Sequence, residues 1–306
     1  MTSHANFPSV ACFFKIITRA IPFFCAALSL PANAQVFNNL HSLVFLDGTG
    51  PVANLIWSSN TLYGTTRIYG GGNAGGYGSV FSMNLNGSGF TNLHTFSAIA
   101  PEAGNLNSGL ILFGGKLYGT ATFGGSSNYG SVFAIGTNGL GLTNLFNFES
   151  TGPDFPYPNN IGAYPIAGLT LIGNTFYGLA NGGGTNGGGT LFAMNTNGTG
   201  FTNLHNFSFA TGNNPSRDLL YAGGVFYGTT FSGGDHAVGT VFKINTNGSG
   251  FTNFYNFSQT SGPDRTNYEG AFPACSLVLA GTNLYGTVAE GAGAEVLGKS
   301  PCCFFK

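Results

Sequence analysis

The sequence predicts an all-β protein, a β-propeller of four-stranded antiparallel blades, and three observations carry the prediction. One phrase recurs four times, as "MNLNGSGFTNLHTF" (Met83–Phe96), "IGTNGLGLTNLFNF" (Ile135–Phe148), "NTNGTGFTNLHNF" (Asn195–Phe207) and "INTNGSGFTNFYNF" (Ile244–Phe257). A second phrase alternates with it: "LYGT" begins at Leu62, Leu117 and Leu284, "FYGL" at Phe176 and "FYGT" at Phe226. The tyrosines of this second phrase (Tyr63, Tyr118, Tyr177, Tyr227, Tyr285) stand 55, 59, 50 and 58 residues apart. A period of about fifty residues is the mark of a repeat architecture.

Each period resolves into four short strands, labelled a to d. A leucine stands seven residues before each second phrase, at Leu55, Leu110, Leu169, Leu219 and Leu277. Turn residues such as Gly114-Gly115, Gly173-Asn174 and Gly223-Gly224 lie between. A tight hairpin of strands a and b explains the fixed spacing, because hairpin register sets the distance and glycine supplies positive φ. Strands c and d follow: Phe81 to Thr91, Phe133 to Thr143, Phe192 to Thr202 and Phe242 to Thr252 are each ten residues. They turn through Asn-Gly at Asn86, Asn138, Asn197 and Asn247, a strong short-range hairpin signal. Two hairpins per repeat, in tandem, make propeller blades.

The ends point to closure. "FNNLHSL" (Phe37–Leu43) matches strand d with no a, b or c before it. Leu277–Thr287 gives a and b, "AEVL" (Ala294–Leu297) reads as c, and no d follows. Four complete blades and one assembled from both ends predict a five-bladed ring, with Phe37–Leu43 as closing strand and no free sheet edge; the rival reading is a fragment of a larger propeller. The repeat domain is read as residues 35–298 and residues 299–306 as an off-pattern tail.

The 306 residues include 51 Gly, 30 Phe and 13 Tyr but only 6% charged side chains. So few cations exclude a nucleic-acid binder, which neutralises phosphates with clustered Lys and Arg. At the N-terminus, Lys15 and Arg19 precede the apolar run Ala20–Leu30 and the A-x-A site Ala32-Asn33-Ala34. Residues 1–34 therefore read as a secretory signal peptide, too short in its apolar part to span a bilayer, and the expected location is extracellular, with the periplasm or cell surface as alternatives. No later stretch reads as a membrane span. Cys275, Cys302 and Cys303 form no disulfide framework, being odd in number with two adjacent.

The repeat wording "LYGTT…GG…G[ST]VF…NGxGFTNLxxF", from Val36 to about Leu297, resembles the GloVer-type tandem repeat of exported bacterial proteins. That resemblance implies export and a propeller-like repeat rather than a reaction. Members commonly end in a surface-sorting anchor, whose wording is not found here. Kelch repeats are a weaker likeness, sharing the diglycine at Gly71-Gly72, Gly124-Gly125, Gly183-Gly184 and Gly233-Gly234.

Several tempting sites dissolve on inspection. The Asn-Gly phrase echoes calcium loops, yet its candidate ligands are neutral Asn, Thr and Ser where a hard dication wants carboxylates. The strand-d histidines share their position with other aromatics, in the series His41, His94, Phe146, His205, Tyr255, which marks a packing position. Glycine-rich Gly70–Gly78 and Asn181–Thr190 open no helix and end in no Gly-Lys-Ser/Thr, so they read as flexible b–c loops rather than phosphate cradles. No G-x-S-x-G or H-E-x-x-H occurs. No metal, cofactor or catalytic residue is assigned.

One surface remains. Alternating strand directions place the a–b and c–d hairpins at one end of the disc and the b–c and d–a loops at the other, and only the latter vary in length. Loops on a rigid scaffold carry binding. The candidate ligand residues are Asp154, Tyr157, Tyr164, Asp235, His236, Asp264, Arg265, Tyr268 and Glu269, aromatic and polar groups suited to sugar rings and hydroxyls. The expected function is an exported, non-enzymatic binding or structural module with a glycan or cell-surface partner. The alternative is a propeller lyase or hydrolase acting on extracellular polysaccharide.

Overall fold

A computed structural model describes residues 38–70, 76–97, 102–153, 157–259, 267, 270–290 and 302–305. Among the described residues it has five larger antiparallel sheets, a two-stranded one pairing Ala103–Gly104 with Phe123–Gly124, and no helix. Consequently no described helix is long and apolar enough to cross a membrane. The first sheet orders its strands a (Ile56–Ser58), b (Thr61–Thr66), c (Ser79–Asn84) and d (Thr91–Thr95). The second has Ile111–Phe113, Lys116–Ala121, Ser131–Gly136 and Thr143–Asn147, and the third Thr170–Ile172, Thr175–Ala180, Thr190–Asn195 and Thr202–Asn206. Leu220–Ala222, Val225–Ser232, Thr240–Asn245 and Thr252–Asn256 form the fourth. All follow the order a-b-c-d, the blade pattern the sequence predicts.

Register explains both phrases. In strand b of the first four sheets the glycine after the tyrosine lies opposite the phenylalanine of strand c, pairing Gly64 with Phe81, Gly119 with Phe133, Gly178 with Phe192 and Gly228 with Phe242. A β-carbon at Gly178 would stand 2.5 Å from the tip of Phe192, so the glycine is a slot for the facing ring. Strand d carries a bulge after its asparagine, between Asn144 and Phe146 in the second sheet. The bulge turns the backbone carbonyl of Leu93, Leu145 or Leu204 against the Asn-Gly turn of the following sheet. Gly139, Gly198 and Gly248, all at positive φ, sit where a β-carbon would meet those carbonyls at 2.4, 2.9 and 2.6 Å. Beside that contact, Phe146 stacks on Phe201 at 3.9 Å and His205 on Phe251 at 4.0 Å. The strand-d aromatic position is packing between sheets, as predicted.

Each junction is a hydrophobic cluster shared by two sheets. Tyr63, Val80 and Phe96 meet Leu110, Leu117 and Phe133 at the first, and Tyr118, Val132 and Phe148 meet Leu169, Phe176 and Phe192 at the second. Leu191 and Phe207 meet Phe226 and Phe242 at the third, while Val241 and Phe257 meet Leu277 and Leu284 at the fourth. A strand-b threonine hydroxyl adds a hydrogen bond to the carbonyl ahead of the next strand a, from Thr65 to Ser108, Thr120 to Ala167 and Thr229 to Cys275.

The ends depart from expectation. The fifth sheet has a (Val278–Ala280) and b (Asn283–Glu290), but the strand beside b is Cys302–Phe305, within the segment expected to be an off-pattern tail. The expected strand c, Ala294–Leu297, lies outside the described residues. Residues 38–44 form no strand, so the closing strand expected at Phe37–Leu43 is not made there, and Phe37 itself is outside the described residues. The reason is visible in its contacts. Leu40 and His41 make the junction contacts of a strand d, with the Leu40 carbonyl against Gly87 and His41 stacked on Phe90 at 4.3 Å. No described strand c pairs with the segment, so it forms no ladder there.

Candidate functional site

The b–c and d–a loops gather at one end of the sheets. Each d–a loop before the second to fifth sheets holds a residue at left-handed φ, namely Asn105, Tyr164, Asn214 and Phe272, and Gly50 takes the place before the first. Their backbone N–H groups donate to the preceding sheet's b–c loop, on the carbonyls of Tyr77, Tyr129, Gly188 and Val238 for Asn105 to Phe272 in turn. Glycine and asparagine accept this conformation readily, whereas Tyr164 (φ 57°) and Phe272 (φ 57°) hold it at a cost. Tyr157, at φ 59°, is a third strained aromatic of the same loops.

Tyr164 and Tyr157 line a cleft of about 1090 Å³. One wall is aromatic. Tyr164 lies 5.2 Å from Tyr129 and 5.7 Å from Phe123, ring centre to ring centre. Burial, then the neighbouring Tyr129, holds the Tyr164 hydroxyl above its ordinary range, so it stays a protonated, neutral donor. The lining also includes four amides, Asn181, Asn186, Asn213 and Asn214, and the exposed ring of Phe209. Asn213 and Asn214 are bonded to each other at 2.8 Å, and Asn214 reaches the Asn181 carbonyl at 3.2 Å.

The cleft exists because the b–c loop of the third sheet is nearly bare. Its Gly182 and Gly188 stand where the second sheet carries Phe123 and Tyr129. This loop is not the flexible segment expected from its glycines. Gly182 and Ala163 exchange backbone hydrogen bonds at 2.7 and 3.0 Å, Asn159 Oδ1 accepts from Gly184 N–H at 2.8 Å, and Gly189 N–H reaches the Gly183 carbonyl at 2.9 Å. Strand d secures the same loop, Asn206 Oδ1 accepting from Thr185 N–H at 3.0 Å, as Asn147 does from Ser126 and Asn256 from Asp235.

Of the nine predicted residues, the structure brings Tyr157 and Tyr164 together in this cleft. Asp235 and His236 lie in the b–c loop of the fourth sheet and do not line it. Asp154, Asp264, Arg265, Tyr268 and Glu269 lie outside the described residues, Asp154 between the lining residues Pro153 and Tyr157. Sequence reasoning missed Tyr129, Phe209 and the four asparagines. The signal for Tyr129 was its place just before the Gly-Ser that opens strand c, a position that changes from sheet to sheet within otherwise constant wording.

Residues 155–299 match the family model of the Gloeobacter/Verrucomicrobia repeat. No curated protein matches the chain. Among solved structures, similarity is found to a nidogen/laminin complex at 12% identity and TM-score 0.46, covering 75% of this chain and 68% of that one. A putative 6-phosphogluconolactonase from Bacteroides uniformis matches at 14% identity and TM-score 0.47, covering 83% and 66%. A putative TolB from Agrobacterium tumefaciens matches at 11% identity and TM-score 0.43, covering 77% and 69%. With its sheets ordered as four-stranded propeller blades, the chain thus carries the Gloeobacter/Verrucomicrobia repeat over residues 155–299.

Proposed function

We propose that this protein is an exported, non-enzymatic binding module whose cleft takes a neutral glycan. The observation that carries the reading is the cleft's lining, in which Tyr129, Tyr157 and Tyr164 stand together with Asn181, Asn186, Asn213 and Asn214 around a loop stripped to glycine. Sugar rings present apolar C–H faces to aromatic rings and hydroxyls to amides, and the described lining residues meet both demands with neutral side chains. Tyr164, at left-handed φ where three sister repeats carry glycine or asparagine, supports the same reading, because strain persists where function holds it. Export rests on the signal-like residues 1–34.

The test is a screen of neutral and acidic glycans against the wild type, a Tyr157→Ala, Tyr164→Ala double variant and His236→Ala. Binding of neutral oligosaccharides that is lost in the double variant and kept in His236→Ala supports the assignment. Binding that ignores both tyrosines would place the site elsewhere. Cleavage of the bound glycan would favour the polysaccharide-degrading alternative.

A further inference from the structure

Each inner junction joins two unlike faces of the repeat. The face toward the preceding sheet presents the leucine before strand a, and the face toward the following sheet presents the residue that pairs with the strand-b tyrosine. The leucines of the four junctions, Leu110, Leu169, Leu219 and Leu277, are between 4% and 8% exposed. Leu55, their counterpart on the first sheet, is 45% exposed, and Trp57 beside it 68%. On the last sheet Val278, which pairs with Tyr285 as Ile111 pairs with Tyr118, is 60% exposed. Thus, among the described residues, one copy of the chain displays both halves of its own junction, each open to solvent.

We propose that these faces join copies of the chain head to tail, the Val278 face of one copy seating on the Leu55–Trp57 face of the next. Three observations fit a sheet of this repeat rather than an unrelated partner. The first-sheet face already has part of a junction built on it: Leu62, Phe81 and Met83 cluster with Phe90. The outer-strand position on that face is filled by Leu40 and His41, leaving the places of a, b and c, the strands the last sheet supplies. Strands a and b of both sheets carry no charge up to Glu290, so neither face opposes burial with an unpaired ion. A contact between unlike faces is heterologous and propagates until a ring closes, so assembly need not stop at two copies. A face of this kind left bare on a soluble protein marks an interaction surface.

Trp57 is the chain's single tryptophan and reports the contact directly. Trp57→Lys spoils the first face and Val278→Asp the last, and each variant keeps one sound face. Light scattering of the full chain should show wild-type mass rising with concentration, each variant alone monomeric, and an equimolar mixture forming a one-to-one heterodimer. In that mixture the only indole belongs to the Val278→Asp copy, and its emission should shift to the blue. Leu55→Asp serves as the first-face variant should Trp57→Lys lower the melting temperature. A wild type that stays monomeric overturns the proposal, and if its Trp57 emission is already blue the two faces have met within one copy. Variants that still self-assemble alone would move the contact to another surface and overturn it equally.

Discussion

Replacing His205 by phenylalanine, the residue the second sheet carries at Phe146, should remove part of the protein's sensitivity to acid. The His205 ring stacks flat on Phe251 at 4.0 Å and meets Phe207 edge-on, and its Nε2 is buried with no hydrogen-bond partner. Burial pushes its pKa down from 6.5 to about 4. Above pH 6.5 the ring is neutral in both folded and unfolded chains and pH has no hold on it. Between 6.5 and about 4 the unfolded chain binds a proton that the folded one refuses, so stability falls with pH. Below about 4 both bind it and the loss is complete. That difference in affinity corresponds to about 3 kcal/mol at most, and to about 2 kcal/mol once the partly exposed ring is allowed for. His94, held low by burial with Glu102 acting against it, contributes in the same direction. The assay is urea unfolding of wild type and His205→Phe from neutral pH to pH 4, followed by circular dichroism. Carboxylates titrate in both proteins, so the difference between the curves isolates His205. It should grow as pH falls, with the variant favoured; a difference that is flat across this range would refute the reasoning.

Four further outcomes test the account of the repeat. Gly248→Ala, at φ 83° with the Leu204 carbonyl 2.6 Å from the new β-carbon, should cost more than about 1 kcal/mol in a thermal melt. Gly223→Asn, at φ 60° with nothing within 4 Å, should change stability by only a few tenths of a kcal/mol. Asn197→Ala removes the acceptor of the Thr199 N–H at 3.1 Å and of its hydroxyl at 2.7 Å, a loss of about 1 kcal/mol, and the melting temperature should not respond to calcium in either protein. Tyr164→Asn, copying Asn105 and Asn214, relieves the left-handed strain while losing ring contacts; stability should change by less than about 1 kcal/mol while glycan binding is lost.

The repeat was legible because constant spacing is a direct consequence of hairpin register, and the alternation of two phrases fixed four strands per sheet. The turn itself differs in detail. Gly87 but not Asn86 takes positive φ, and Asn86 Oδ1 instead accepts from Ser88 N–H at 3.1 Å, because the c–d loop is longer than a two-residue turn. The role of that glycine as the seat of a neighbouring sheet's carbonyl could not be read from one strand pair. It is a contact between repeats, and sequence periodicity records position without recording who approaches. The same limit hid the cleft. Tyr157 and Tyr164 were found through loop length, but the hollow they line is made by what Gly182 and Gly188 lack, and absent side chains look like flexibility until their hydrogen bonds are seen. The ends were misread where Cys302–Phe305 pairs with strand b, since its wording shares nothing with the other c strands.

The cleft is tested most directly by filling it without touching the fold. A β-carbon on Gly182 meets only the Tyr164 ring, at 3.5 Å, an ordinary contact, so Gly182→Phe restores the side chain the second sheet carries at Phe123 and projects it into the hollow. Calorimetric titration of both proteins with the neutral oligosaccharide bound most tightly in the screen, alongside their melting curves, gives the answer. The account predicts heat of binding for the wild type, none for Gly182→Phe, and melting temperatures that agree. Equal binding by the two proteins, or none by the wild type with any glycan, would contradict it.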